Sequence, residues 1–314
     1  MTEVEVVTAR EVPLGGPRAM TVRRTLPQRR RSLIGAWCFV DHYGPDDVAG
    51  TGGMDVPPHP HTGLQTVSWL FEGEIEHRDS LGVHAVVRPG EVNLMTGGHG
   101  VAHSEVSPPG TEVLHGVQLW VALPDAARHV PRDFAHHAPE PVELDGAVAR
   151  VFVGSFAGTA SPVPTYSPLL GVELVLAPGA EVPLELDPSF EHGVLVDLGP
   201  VTLAGTQLKR AELGYLAPGT DRAGLVNDTD EPARVLLLGG TPFGEEIVMW
   251  WNFVGRTHED IVAAREAWEQ GSDRFGEVRG YAGHTQRLPA PPLPNARLRP
   301  RVEPPAAGDR SAWG

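Results

Sequence analysis

The sequence predicts an all-β protein in which one barrel-like unit is followed by a second of the same texture and then by one short helix. Three observations carry this. Between residues 59 and 121, strand-like segments follow one another at close spacing, joined by Pro89-Gly90 and Gly97-Gly98, the pattern of an antiparallel sandwich or small barrel. Residues 147–240 repeat that texture, which reads as an internal duplication. A helical period appears only after Thr257.

Residues 1–45 give short strands at 4–8, 20–24 and 33–40, punctuated by Gly15-Gly16-Pro17 and Gly44-Pro45. Asp41 and His42 close the third and are expected to hydrogen-bond locally. Residues 64–71 place Leu64, Thr66, Ser68 and Leu70 on one face and Gln65, Val67, Trp69 and Phe71 on the other, mostly apolar on both sides, as in a doubly covered strand. Trp69 and Phe71 are read as core residues. Strands at 75–79, 83–88, 91–95 and 113–121 follow. Residues 124–141, rich in Pro, Ala, His and charge, read as a linker in which His129, His136 and His137 are solvated. The second unit takes strands at 148–153, 171–177, 181–186, 192–198, 201–203, 212–216 and 234–238. Its single histidine, His192, has no ligand-type pair beside it, so no metal is expected there.

Thr257 and Asp260 form a capping-box pair, Ile261, Ala264 and Trp268 recur at helical spacing, and Gly271 closes the helix. Arg265 and Glu269 stand four apart as an ion pair. The domains so defined are residues 1–130, residues 140–285 with the helix near 257–270, and a Pro-rich flexible tail over 286–314.

Composition narrows the function. A chain of 314 residues supports two ordinary domains, and a formal charge of −15 argues against direct nucleic-acid binding, which needs Lys and Arg to neutralise phosphates. Arg23, Arg24, Arg29, Arg30 and Arg31 cluster locally, but no aromatic residues interleave them, and they read as a solvated strand edge. One cysteine, Cys38, rules out an internal disulfide, and neither a signal peptide nor a membrane span is visible. A soluble, cytoplasmic monomer is expected.

The chemistry concentrates in two short pairs. Side chains two residues apart on a strand share a face, so His59 with His61, and His103 with Glu105, each present two ligand atoms to one side. Two such strands paired in a barrel close on one ion. Three imidazoles and a carboxylate suit Fe(II), Mn(II), Co(II), Ni(II) or Cu(II) with coordination positions left open for a substrate or O2.

Several longer runs then resemble one family. They are Asp41-His42-Tyr43-Gly44-Pro45, His59-Pro60-His61 leading to Thr66-Val67-Ser68-Trp69, Glu72-Gly73-Glu74-Ile75-Glu76-His77-Arg78-Asp79-Ser80, and Met95-Thr96-Gly97-Gly98-His99-Gly100 before His103-Ser104-Glu105. Phe243-Gly244-Glu245-Glu246 and Asn252-Phe253 continue the pattern, which is similar to the pirin family of bicupins. The resemblance implies two cupin barrels (double-stranded β-helices, or jelly rolls), of which only the first binds a metal, through His59, His61, His103 and Glu105. Fe(II) is the expected ion, with Mn, Co, Ni, Cu or Zn as alternatives. Two positions depart from the pattern. Gln65 stands where most cupins carry the anionic ligand, which leaves that role to Glu105, and Thr62 replaces an arginine common in pirins.

The activity implied is that of a quercetinase, which opens a flavonol ring with O2, Glu105 serving as ligand and as base for the 3-hydroxyl proton. His99 is a candidate for orienting the ligands. The alternative is a non-enzymatic, iron-dependent redox sensor that binds a partner protein; an inert structural bicupin ranks last because all four ligands are present.

Overall fold

The computed structural model describes residues 2–14, 20–50 and 53–301. The expected turn at Gly15-Gly16-Pro17 and the end of the tail, 302–314, lie outside the described residues. The first half contributes β1 (Glu5–Thr8), β2 (Arg10–Pro13), β3 (Thr21–Leu26), β4 (Trp37–Asp47), β5 (Asp55–His61), β6 (Leu64–Glu72), β7 (Ile75–Asp79), β8 (His84–Val87), β9 (Val92–Thr96), β10 (Val101–Val106), β11 (Val113–Ala122) and β12 (Asp133–His137). The second contributes β13 (Val142–Leu144), β14 (Ala147–Val153), β15 (Ser155–Phe156), β16 (Thr159–Ala160), β17 (Leu169–Leu176), β18 (Glu181–Glu185), β19 (Glu191–Leu198), β20 (Val201–Leu203), β21 (Thr206–Leu208), β22 (Glu212–Leu216), β23 (Arg222–Val226) and β24 (Ala233–Gly240). β25 (Val248–Trp250), β26 (Phe253–Gly255) and α1 (His258–Glu269) close the chain.

Each half pairs a large antiparallel sheet with a small one, and the strand orders coincide. The first half runs β12-β9-β6-β11-β4-β3-β2 and β5-β10-β7-β8; the second runs β1-β22-β19-β24-β17-β14-β13 and β18-β23-β20-β21. Thus β5 matches β18, β6 matches β19 and β10 matches β23, which is the duplication read from the sequence. One strand is exchanged: β1, from the N-terminus, pairs with β22 in the second half's sheet.

The two large sheets face each other. Period-2 alternation sends Val67, Trp69, Val117 and Leu119 from the first half into one core with Leu195, Leu213, Leu236 and Leu238 from the second. The opposite faces of β14, β17, β19 and β24 fill the second barrel with Ala149, Val172, Val194 and Leu237. Trp69 stacks on Phe152 at 4.8 Å and donates Nε1–H to Glu173 Oε2 at 2.8 Å, so it is a core residue at the joint, as expected.

Several expectations need correction. The arginine cluster is not a solvated edge throughout: Arg31 is buried and pairs with Glu5 at 2.7 Å, and Arg24 pairs with Asp41. The supposed linker contains β12, which pairs with β9 (Phe134 opposite Met95) and extends the first sheet, while His136 Nδ1 lies 2.6 Å from Asn93 Oδ1. The tail from 286 to 301 is not loose. Trp268 Nε1 donates to Leu288 O (2.8 Å), Leu288 N to Pro58 O (2.8 Å), and Arg301 N to Ile247 O (3.1 Å). Asp41 and His42 bond at long range: Asp41 takes two bonds from Arg24 (2.6 and 2.7 Å), and His42 reaches Asp197.

The helix starts as read, with Thr257 and Asp260 forming a full capping box. Its Arg265 and Glu269 serve the tail instead of each other: Arg265 Nε donates to Pro291 O, and Glu269 Oε1 accepts from Ala290 N. Among the described residues no helix is long and apolar enough to cross a membrane.

Candidate metal centre

β5 is rich in proline, which a central strand of a sheet would not tolerate; it stands at the edge of its sheet, where a missing N–H can face away from the ladder. It pairs antiparallel with β10, setting His103 directly opposite His59, while the period of 2 brings His61 to the same face. Gly63 then turns the chain at φ +69°, with the Val254 carbonyl only 2.2 Å from where a Cβ would sit, so only glycine fits.

One ring nitrogen from each of His59, His61 and His103 lies within 4.8 Å of the others, and all three residues are buried. His61 Nε2 and His103 Nε2 are 3.1 Å apart. His59 Nδ1 sits 2.9 Å from Pro57 O, and donating its proton there leaves the Nε2 lone pair free. Burial pushes His59 down to about 4 and holds His61 and His103 well below the usual imidazole range, so the rings are neutral. Neutral imidazoles that turn lone pairs toward one point fit a cation: two nitrogens bound at about 2.1 Å and at right angles to one ion stand roughly 3 Å apart.

Glu105 lines the same cavity but stands outside this trio. A bulge between His103 and Glu105 breaks their common register against β5, and Ser68 Oγ makes a long 3.5 Å bond to Glu105 Oε1. Burial raises the pKa of its carboxyl. The cavity, ≈ 310 Å³, is walled by Phe39 and Trp120, stacked at 4.1 Å and 13°, with Gln118, Trp251 and Leu288 completing it. Arg24 lies over Phe39 at 4.3 Å. Trp251 and Leu288 reach this pocket from the closing hairpin and the tail.

Sequence reasoning gave no role to His77 and Asp79. His103 Nδ1 is 3.4 Å from His77 Nδ1, and His77 Nε2 is 3.1 Å from Asp79 Oδ2, a chain that fixes the ring behind the trio. The signal was available: His77-x-Asp79 has the same period of 2 on β7, which pairs with β10. Gln65 faces away and donates to Thr96 Oγ1 and Pro164 O, so it lies outside the ligand geometry. His99 sits beside His129, ring centroids 6.1 Å apart, and not beside the trio.

A second buried group, His42, His115 and Asp197, joins the two halves. Both imidazole Nε2 atoms bond Asp197 Oδ1 (2.6 and 2.5 Å), and Arg234 Nε holds Oδ2 at 2.6 Å. With its charge already neutralised by a guanidinium, this carboxylate makes a structural joint.

Comparison with known proteins follows the same lines. Residues 19–121 match the Pirin family and residues 171–276 the Pirin C-terminal cupin domain. A Pseudomonas aeruginosa protein named "Putative quercetin 2,3-dioxygenase" is 48% identical over 289 residues, covering 92% of this chain and 90% of that protein. A Caulobacter vibrioides pirin-like protein is 37% identical over 300 residues, covering 91% and 98%. The crystal structure of a quercetin 2,3-dioxygenase from Acinetobacter baumannii superposes with a TM-score of 0.89 at 40% identity, covering 95% of this chain and 98% of that one. This chain belongs to the pirin family, with two cupin domains in one polypeptide.

Proposed function

We propose that this protein is a metal-dependent dioxygenase that opens a flavonol-type ring with O2, with His59, His61, His103 and Glu105 as metal ligands and Fe(II) as the ion. The observation that carries the reading is the convergence of three neutral, buried imidazoles beneath an aromatic-walled cavity of ≈ 310 Å³. That volume lies within the range of small-ligand pockets. The names of the relatives in Pseudomonas and Acinetobacter point to the same substrate class.

A bound ion would supply Lewis acidity and a template for O2. The residues supply the rest. Phe39 and Trp120 offer a flat face against which an aromatic ring system packs. Glu105 lines this cavity, and its burial raises its proton affinity; in this reading it takes the 3-hydroxyl proton, with Ser68 Oγ at its carboxylate. His77 and Asp79 hold the His103 ring in one orientation.

The test is O2 consumption with quercetin at defined Fe(II) content, beside His61→Ala and Glu105→Gln. Turnover that disappears in both supports the reading. Absence of turnover at full metal occupancy overturns it and leaves the partner-binding redox sensor as the reading to pursue.

A further inference from the structure

The second barrel has a cavity of its own, ≈ 410 Å³, at the end that corresponds to the metal pocket of the first. The correspondence follows from the strand orders. The first pocket lies where β5 ends and β4 begins, and this one lies where the matching β18 ends and the matching β17 begins. His192, on the strand that matches β6, is on the barrel-facing side with Val194 and Val196. Across from it stands Gly239, whose lack of a side chain leaves room for the imidazole; a Cβ there would lie 3.0 Å from His192 Cδ2.

His192 is fully buried, and neither ring nitrogen has a hydrogen-bond partner. An unpaired buried polar group is costly, and a leucine would fill the same space among the surrounding apolar residues without that cost. Leu169, Leu170 and Leu186 form the walls, and Phe156 and Phe190 stand nearer the opening. Asp187 lies on the exposed rim and disfavours anions, while Glu185 beside it is paired with Arg222 at 3.0 Å. Burial brings His192 down to about 4, so its ring offers one N–H donor and one acceptor nitrogen. A metal finds a single imidazole here, which is too few ligands. A neutral aromatic alcohol matches the inner part of the cavity: its ring against leucine and phenylalanine, its hydroxyl donating to the free ring nitrogen.

We propose that the second barrel is a binding site for a neutral phenol-type small molecule, anchored on His192 and separate from the metal pocket. The experiment is calorimetric titration of the full-length, metal-loaded protein with 2-naphthol under anaerobic conditions, followed by a crystal structure of the complex. The expected result is a saturable binding event that persists in His61→Ala and weakens about tenfold in His192→Leu. Ser155→Trp, a change at an exposed rim position, should block the same event without touching the core. Metal content of the first barrel is the folding control for both variants. Binding equal to wild type in both, no event independent of the metal pocket, or a crystal structure with water alone on the His192 nitrogens at saturating naphthol would overturn the proposal.

Discussion

Trp251 illustrates what single residues cost and supply. It has φ +51°, in the left-handed region that disfavours a Cβ, yet its side chain reaches the pocket of the three histidines. At most positions alanine is at least as stable as glycine. Here the order should invert: Trp251→Gly should be more stable than Trp251→Ala by about 1 kcal/mol, read from urea midpoints. Equal stability of the two would mean that the turn relaxes freely. His192 makes a second case, in pH. Its folded value is about 4 against an unfolded value near 6.5, so between these limits the unfolded chain binds a proton that the folded chain refuses. Stability from this residue is therefore full above pH 6.5 and lost as pH falls toward 4, by roughly 3 kcal/mol. His192→Leu should gain on wild type over that window and hold a constant difference above it; parallel pH curves would contradict the assignment. Part of the candidate metal centre was legible at this scale because the period of 2 is local: it joined His59 to His61, whereas His103 was read through its pair with Glu105, whose common register the bulge breaks. The absence of Gln65 from the cavity was not legible, since counting residues does not show which face of β6 turns to the joint.

Elements were legible where their periodicity was complete. The helix was read from cap to stop, and Thr257→Ala should cost about 1 kcal/mol, because Asp260 N loses its acceptor while the reciprocal bond from the backbone N of residue 257 to Asp260 Oδ2 remains. What escaped were segments stabilised by partners far along the chain. β12 has five residues and one strong apolar side chain, Phe134, whose ring lies 4.9 Å from that of His77, so its own pattern is too short to read. The tail offers Leu288 and Ala290 among prolines, yet those two dock on α1 and on the strand before His59. Ending the chain at Gln286, compared with ending it at Arg301 so that both chains lack Trp313, should expose Trp268, shifting the fluorescence to the red, and remove Leu288 from the three-histidine pocket, increasing acrylamide access. An unchanged spectrum would mean that the tail contributes nothing to the burial of α1.

The whole molecule depends on a joint that no local pattern announces. The two large sheets face each other, and β1 crosses from the N-terminus to the second sheet, so the second half's sheet is not complete without the first half's strand. Within this apolar joint, Asp197 accepts from His42 and His115 of the first half while Arg234 neutralises it from the second. His42 and Asp197 are separated by 155 residues, too far for any periodicity to connect them. Burial alone would raise this carboxyl, but the two imidazole bonds and Arg234 together hold it far below the usual carboxylate range. The partners, not the charge alone, therefore make it tolerable in the core. Asp197→Ala should leave two buried imidazole donors and a guanidinium without an acceptor, at a cost of about 3 kcal/mol or more. Asp197→Asn keeps one carbonyl oxygen for the imidazoles and should cost less. Because the loss falls at the joint, urea unfolding of the alanine variant should be broader than that of wild type or divide into two steps, with the first step reporting separation of the halves. A loss below about 1 kcal/mol, or a transition as sharp as wild type, would show that the apolar contacts between the sheets hold the halves together unaided.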